Sequence, residues 1–235
     1  MIEMKKLIVS VLTVVLVVVL LSYPALAAGK LTVAQEKFIV TPYISYHAGE
    51  VYAEVENTGD RAVEYAGGLL ELFDQEGDTI EAEEPRYCYP PILEPGEKGY
   101  IYVTKSVKEA TDRSFIDDYL LTVTGKGAKE NTIRRYPTEG RYEVVEGGWS
   151  PYHYSVATVT NDSDVVVYGY YAVFAAKDSE GNLLYASACD PSYVGIVPGS
   201  TVEIRMLIDN DVIEYYESQG VSIASIDAIV YKNQK

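Results

Sequence analysis

The sequence predicts an all-β fold, two β-sandwich units in tandem, and three observations carry that prediction. Short alternating runs are separated by Asn, Gly and Pro turns along most of the chain. Tyrosine, which suits half-buried strand positions where the ring packs and the hydroxyl stays wet, occurs 22 times in 235 residues. Val51 to Asp78 is matched without a gap by Ser155 to Asn182: Asn57 and Asn161 lie 161 − 57 = 104 positions apart, as do Gly77 and Gly181, 181 − 77 = 104. A period of that length is the size of a whole sandwich, about 100 residues, rather than of a strand pair.

Lys5 and Lys6 precede an uncharged apolar run from Leu7 to Leu21, then Pro24 and the small-residue site Ala25-Leu26-Ala27. This is the pattern of a secretory signal peptide over residues 1–27, cut between Ala27 and Ala28. The alternative is an uncleaved anchor, since Leu7 to Ala28 is just long enough to span a bilayer. Residues 28–36 read as a tether, 37–125 as the first repeat, 126–140 as a solvated linker and 141–235 as the second repeat.

Lys37 to Val40 begins repeat one as a strand, interrupted by Pro42 and a turn at His47-Ala48-Gly49. Val51, Ala53 and Val55 then alternate with Tyr52, Glu54 and Glu56, a strand with one buried face. Asn57 ends it, as Asn161 ends its partner, because Asn tolerates turn geometry and bonds its own backbone two residues on. Ala62 to Phe73, matched by Val165 to Lys177, is a longer strand with Leu70 and Leu72 facing inward; Gly67 and Gly68 mark a bulge or a close neighbour. Thr79 to Ala82 and Leu183 to Ser187 return as hairpin strands. Pro95-Gly96 and Pro198-Gly199 each feed another strand, Gly99 to Thr104 and Thr201 to Leu207. Asp211 and Gly220 bracket a short helix, and Tyr119 to Thr124 and Asp227 to Tyr231 close the copies. Between them Lys126, Lys129, Arg134 and Arg135 sit in the linker, although Ile133 to Tyr136 is also readable as a strand extension.

Leu70-Glu71-Leu72-Phe73-Asp74, before an acidic Gly turn and a later Pro-Gly, resembles the FxLYD motif; the second copy is Phe174-Ala175-Ala176-Lys177-Asp178. Copy one has Leu70 for the motif's Phe and Phe73 for its Tyr, copy two has Ala176 and Lys177 for Leu and Tyr, and only the Asp is common to both. The resemblance covers most of both repeats. It implies immunoglobulin-like sandwiches on an exported bacterial or archaeal protein, and no particular activity.

A net charge of −16 disfavours nucleic acid and anionic lipid as partners and favours solubility through self-repulsion. Asp74, Glu76 and Asp78, and again Asp178, Glu180 and Asn182, have the spacing of loop ligands for Ca²⁺, but the terminal Glu of the full twelve-residue loop is missing, so they are read as hairpin turns and no metal or cofactor is assigned. His47 and His153 are read as surface or turn residues without a neighbouring nucleophile motif. Cys88 and Cys189, one per repeat, are a candidate disulfide in an exported chain. Trp149, Tyr152 and Tyr154 cluster as a sugar platform or, the reading preferred, as packing in a sandwich core or at its edge. The resulting expectation is a non-catalytic binding or spacer module, secreted or on the cell surface, with an unknown protein or glycan ligand. A structural subunit of an envelope assembly that pairs through strand edges is the alternative, and a hydrolytic enzyme a distant third.

Overall fold

The computed structural model describes residues 29–42, 46–108, 112–191 and 193–234, so the leader and its cleavage site at Ala27 and Ala28 lie outside the described residues. The fold is all-β, in several antiparallel sheets. Strand β1 (Leu31–Pro42) pairs with β2 (His47–Asn57), which pairs with β6 (Lys98–Val107). Strand β3 (Val63–Phe73) has β7 (Asp118–Gly127) along one edge, and β4 (Thr79–Glu83) and β5 (Ile92–Leu93) share the other. In the second half, β9 (Thr138–Val145), β10 (Tyr152–Thr160) and β13 (Thr201–Leu207) form one sheet. The other runs β12 (Leu183–Cys189), β11 (Tyr171–Lys177), β14 (Ser225–Asn233), β8 (Ile133–Tyr136), and helix α1 (Asn210–Glu217) precedes β14.

Several boundaries differ from the sequence reading. The expected tether is mostly strand: Leu31 to Glu36 pair with Asn57 to Ala53, across a register shift between Val33 and Gln35. His47-Ala48-Gly49 is the start of β2 rather than a turn, paired with Pro42, Thr41 and Val40. The stretch 126–140 is not a free linker. Its start extends β7, Ile133–Tyr136 is β8, and Tyr136 is buried in the second-half core. Lys126 holds Glu64 at 3.3 Å, Arg134 holds Asp162 at 3.0 Å and Arg135 holds Glu97 at 2.7 Å. Pro137 then lies between β8 and β9 as the chain passes from one sheet to the other. Strand β11 begins only at Tyr171; before it, Val167 makes a single bridge to Ile196. The α1 cap is Asp209, which accepts the Asp211 N–H at 3.0 Å, so Asp211 falls in the first turn.

The two asparagines are the most closely repeated feature. Asn57 Nδ2 donates to the Arg61 and Leu93 carbonyls at 2.7 and 2.9 Å, and its Oδ1 accepts the Gly59 N–H at 3.0 Å. Asn161 does the same with Val165, Ile196 and Ser163, at 2.8, 2.7 and 3.0 Å. The Gly96 and Gly199 amides donate to the respective Asn carbonyls, both at 2.8 Å. Each fully buried Asn therefore ties a strand end, the turn after it and the Pro-Gly turn into one knot.

Three apolar layers separate the sheets. The first is built within the first half, from the inward residues of β2, β3, β6 and β7, among them Val51, Ala53, Leu70, Leu72, Ile101 and Leu121. Another is built within the second half, around Ala157, Val159, Phe174, Ala176 and Val230. Between them lies a layer fed by both halves: Ile39, Tyr52 and Tyr100 meet Val173, Ala175, Leu184, Ala186 and Tyr231, with Val212, Ile213 and Tyr216 of α1 closing one side. Alternation along β2, β6 and β11 puts successive residues into adjacent layers. The sheets β1–β2–β6 and β12–β11–β14–β8 are thus covered on both faces, and β2 and β11 are buried almost throughout.

Replacing Asn161 by Asp turns a double donor toward two carbonyl oxygens and strands both. The expected cost is on the order of 3 kcal/mol, with Asn57→Asp giving a similar loss. Urea unfolding monitored by tyrosine fluorescence measures it, and a loss below about 1 kcal/mol would show the knot to be dispensable.

Candidate functional site

The central layer holds a charged cluster as well as apolar contacts. Glu54, which alternation assigns to the face of β2 away from the first core, is fully buried. Its carboxylate takes Lys98 Nζ at 2.6 Å from the neighbouring strand and Lys177 Nζ at 2.8 Å from the second half. Lys177 also holds Asp227 at 2.8 Å, and the Tyr100 hydroxyl donates to Glu54 at 3.2 Å. Burial pushes the Glu54 carboxyl up, but hydrogen bonds and charge from Lys177 and Lys98 outweigh it and hold the group below the usual carboxylate range. Burial lowers the Lys177 ammonium, but Asp227 and Glu54 outweigh it and hold it above the ordinary lysine range. Nearby, Glu50 accepts Thr41 Oγ1 at 2.6 Å and the Tyr52 hydroxyl. Gln35 reaches across as well, its Oε1 accepting the Leu183 N–H at 2.7 Å.

Tyrosine accumulates at this seam. Tyr52 packs on Tyr185 with ring centroids 5.0 Å apart, Tyr171 stacks on Tyr231 at 5.4 Å, and Tyr89 bridges the halves by touching Tyr102 at 5.9 Å and Tyr171 at 6.1 Å. Burial raises the phenols of Tyr52, Tyr100, Tyr216 and Tyr231 well above their ordinary value, so none of them ionises near neutrality. The cluster is a clamp: its charged groups are engaged with one another.

The residues singled out from sequence fall elsewhere. Cys88 and Cys189 are free thiols, not a disulfide. Cys88 is buried in the first-half core and Cys189 packs against the second-half core, because the halves stack face to opposite face and do not bring equivalent positions together. Burial pushes the Cys88 thiol up to about 12. Leu70, Leu72 and Phe174 of the motif are core residues, and Phe73 is half-buried at the strand end. Asp74 and Asp178 cap their own turns, Asp74 accepting the Glu76 and Asp78 amides at 3.1 and 2.9 Å, Asp178 those of Glu180 and Asn182 at 2.8 and 2.9 Å. His153 is not a surface residue: it is buried in β10, with its ring against Tyr142 and Nδ1 bonded to the Tyr142 hydroxyl. His47 is half-buried at the start of β2. Trp149 packs in no core: it is fully exposed, and Tyr152 is exposed beside it in sequence while Tyr154 is half-buried.

A cleft of about 660 Å³ lies where sequence reasoning found only a bulge. Its floor is the stretch of β3 around Gly67 and Gly68, its far side Thr122 and Thr124 of β7, and its rim the segment Glu84 to Tyr87. The rim is tied down by the Tyr65 hydroxyl, which donates to the Pro85 carbonyl at 2.6 Å. Tyr87 is 62% exposed. The repeat itself carried the missed signal: at the offset of 104, Gly67-Gly68 stand where the second copy has Tyr171-Ala172.

No protein-family model matches the sequence, and no curated protein does. Among solved structures, the crystal structure of red sea bream transglutaminase aligns with 76% of this chain at 10% identity and a TM-score of 0.21. The aligned part is 27% of that chain, so this protein spans about a quarter of its length. A likeness of that size carries no argument about fold or activity.

Replacing Lys177 by Met leaves Glu54 with a single ammonium, Lys98, beside the Tyr100 hydroxyl, and leaves Asp227 with only the Tyr100 hydroxyl at 3.5 Å, at an expected cost of about 3 kcal/mol at neutral pH. Glu54, with its lowered value, contributes stability that is full above its unfolded pKa and lost as pH falls through the folded one. Lys177, with its raised value, contributes stability that is full below the unfolded lysine value and lost as pH rises through the folded one. The gap in urea stability between wild type and Lys177→Met should therefore close toward both acid and alkali; a gap constant from acid to alkali would sink the clamp. Thiol titration without reductant should find two reactive groups per unfolded chain, Cys88 reacting only after unfolding. Different mobilities on reducing and non-reducing gels would contradict this.

Proposed function

We propose that this protein is an exported, non-catalytic binding or spacer module of the cell surface or extracellular space, made of two tandem immunoglobulin-like sandwiches of the kind the FxLYD-like motif implies. One observation carries the reading: the buried Glu54–Lys177 clamp and its tyrosine layer weld the halves into one body, which leaves an outer sheet to present an open cleft. A welded body suits presentation of a surface at fixed geometry. The charged groups with shifted values in the seam are consumed by structural pairing, which favours binding over hydrolysis.

The alternative is a structural subunit of an envelope assembly that pairs through strand edges; growth by stacking end faces is a separate route to such an assembly, and it meets a specific obstacle. The halves stack head to tail, a relation that extends into filaments when the end faces match. The outer face of β9–β10–β13 is instead roofed by a closed ring of alternating charge, Arg141–Glu203 at 2.8 Å, Glu203–Arg205 at 3.5 Å, Arg205–Glu143 at 3.1 Å and Glu143–Arg141 at 3.1 Å. The ring lies over Val156, which pairs with Arg141 on one side and Arg205 on the other. Charged end faces favour a stack that stops at two.

The module reading expects the mature chain, lacking residues 1–27, in the culture medium or on the cell exterior, with saturable binding to an envelope extract and a mass in solution independent of concentration. Retention inside the cell, or mass growing with concentration, would favour the competing readings.

A further inference from the structure

We infer that the cleft over Gly67 and Gly68 binds an uncharged carbohydrate, one ring laid against Tyr87 and its hydroxyls held by Arg86 and Glu84. This rests on the module reading and supplies its site and ligand class. The cleft is made by the ways in which the two copies differ. Gly67 pairs with Thr124 in β7, where the second copy pairs Tyr171 with Tyr231; Leu69 pairs with Thr122, where the second copy pairs Val173 with Ile229. Three bulky side chains that fill the seam in one copy are thus Gly67, Thr122 and Thr124 in the other, and the space they vacate is the trough. Pro85 stands where Cys189 pairs with Ala172, and without an N–H it cannot continue β4 across the opening.

The glycines cannot be refilled. A Cβ on Gly68 would lie 2.5 Å from the Thr122 carbonyl oxygen, and Gly67 has φ +130°. Two glycines weaken a strand interior, so their presence has to be set against what the open floor admits.

The rim offers a specific chemistry. Tyr87 presents an exposed ring, the kind of apolar face on which the C–H side of a sugar stacks. The side chains of Arg86 and Glu84 have no ion-pair or hydrogen-bond partner among the described residues, whereas Arg134, Arg135, Arg141 and Arg205 all hold carboxylates. A guanidinium and a carboxylate together donate to and accept from neighbouring hydroxyls. Their charges cancel within the cleft, and a chain of net charge −16 repels anionic ligands, so a neutral ligand is favoured. An extended peptide fits less well. The unpaired stretch of β3 is short, closed at one end by β5 opposite Val63 and Glu64 and at the other by β4 from Leu70, while strand addition needs an open edge. A volume of about 660 Å³ is within the range of small-ligand sites.

The test is calorimetric and NMR titration of the mature chain with cellobiose, chitobiose, maltose and lactose, and with digalacturonate as an anionic control. Saturable binding of at least one neutral probe is expected, weakened at least tenfold by Tyr87→Ala and by Arg86→Ala, abolished by Thr124→Tyr, and unchanged in Trp149→Ala. Melting temperatures of the Tyr87→Ala and Arg86→Ala proteins should match wild type, since both side chains are exposed. Failure of every neutral probe, binding of digalacturonate alone, or binding that survives Thr124→Tyr but not Trp149→Ala would overturn the site. Envelope-extract binding, measured in parallel, separates the two levels. Extract binding untouched by Tyr87→Ala removes this site and leaves the module reading, whereas absence of any extract binding removes both.

Discussion

A carboxylate with no solvent exposure sits between two ammonium groups, one from each half of the chain, and the relation of the halves depends on it. An isolated ion at that depth would be expelled or neutralised. Glu54 stays charged because Lys98, Lys177 and Tyr100 together fill its hydrogen-bonding capacity. Such a pair adds little net stability over an apolar pair of the same shape, and its effect falls on the alternatives. A slip of one strand position turns every side chain to the other face. In this seam a slip would leave Glu54 against apolar neighbours and Lys177 away from both its carboxylates. The apolar layer makes the halves adhere; the charges choose the register.

That choice has consequences away from the seam. Stacking opposite faces uses one sheet of each half and leaves the other two as ends, so corresponding sheets take different roles. The end sheet of the second half carries the charge ring over Val156. The end sheet of the first half carries the glycine trough instead. In the seam the same topological positions hold Tyr171, Val173, Ile229 and Tyr231. Changes at a few strand positions thus yield an adhesive face, a charged end and an open cleft, while the Asn57/Asn161 and Asp74/Asp178 turns stay the same.

How much of this could be read from sequence follows from where the information is local. The turns at Asn57 and Asn161, the hairpin turns with Gly77 and Gly181 at φ +84° and +83°, and the inward Leu70, Leu72 and Phe174 depend on residues close in sequence or on strand alternation, and these were legible; the bonds from the two asparagines to the Leu93 and Ile196 carbonyls, 36 and 35 positions away, were not. The middle layer was not. Alternation in β2 separates Tyr52 and Glu54 from Val51 and Ala53, yet it says only that there are two faces, not that the second is dry. A Glu there reads as a wet face, and its partner lies 123 positions away in a residue, Lys177, that breaks the motif. The expected linker failed for a related reason: Arg134 and Arg135 look solvated, but both are paired at the surface of β8, whose Tyr136 is core. Equal placement of Cys88 and Cys189 implied contact only under a twofold relation, and a head-to-tail stack is not one.

The duplication therefore reports two kinds of constraint, separable by comparing the copies. Positions that agree, Asn57 with Asn161, Asp74 with Asp178, Gly77 with Gly181 and Gly96 with Gly199, serve each unit within itself, so both units need them equally. Positions that disagree serve a relation outside the unit. Glu54 against Thr158 and Phe73 against Lys177 are explained by the partner half. By the same logic, Gly67 against Tyr171 and Thr124 against Tyr231 answer to something outside the unit. For the second copy that outside is the first half, already in contact. For the first copy no part of the described chain fills the trough over Gly67 and Gly68, so the asymmetry that explains the seam also directs attention to a ligand there.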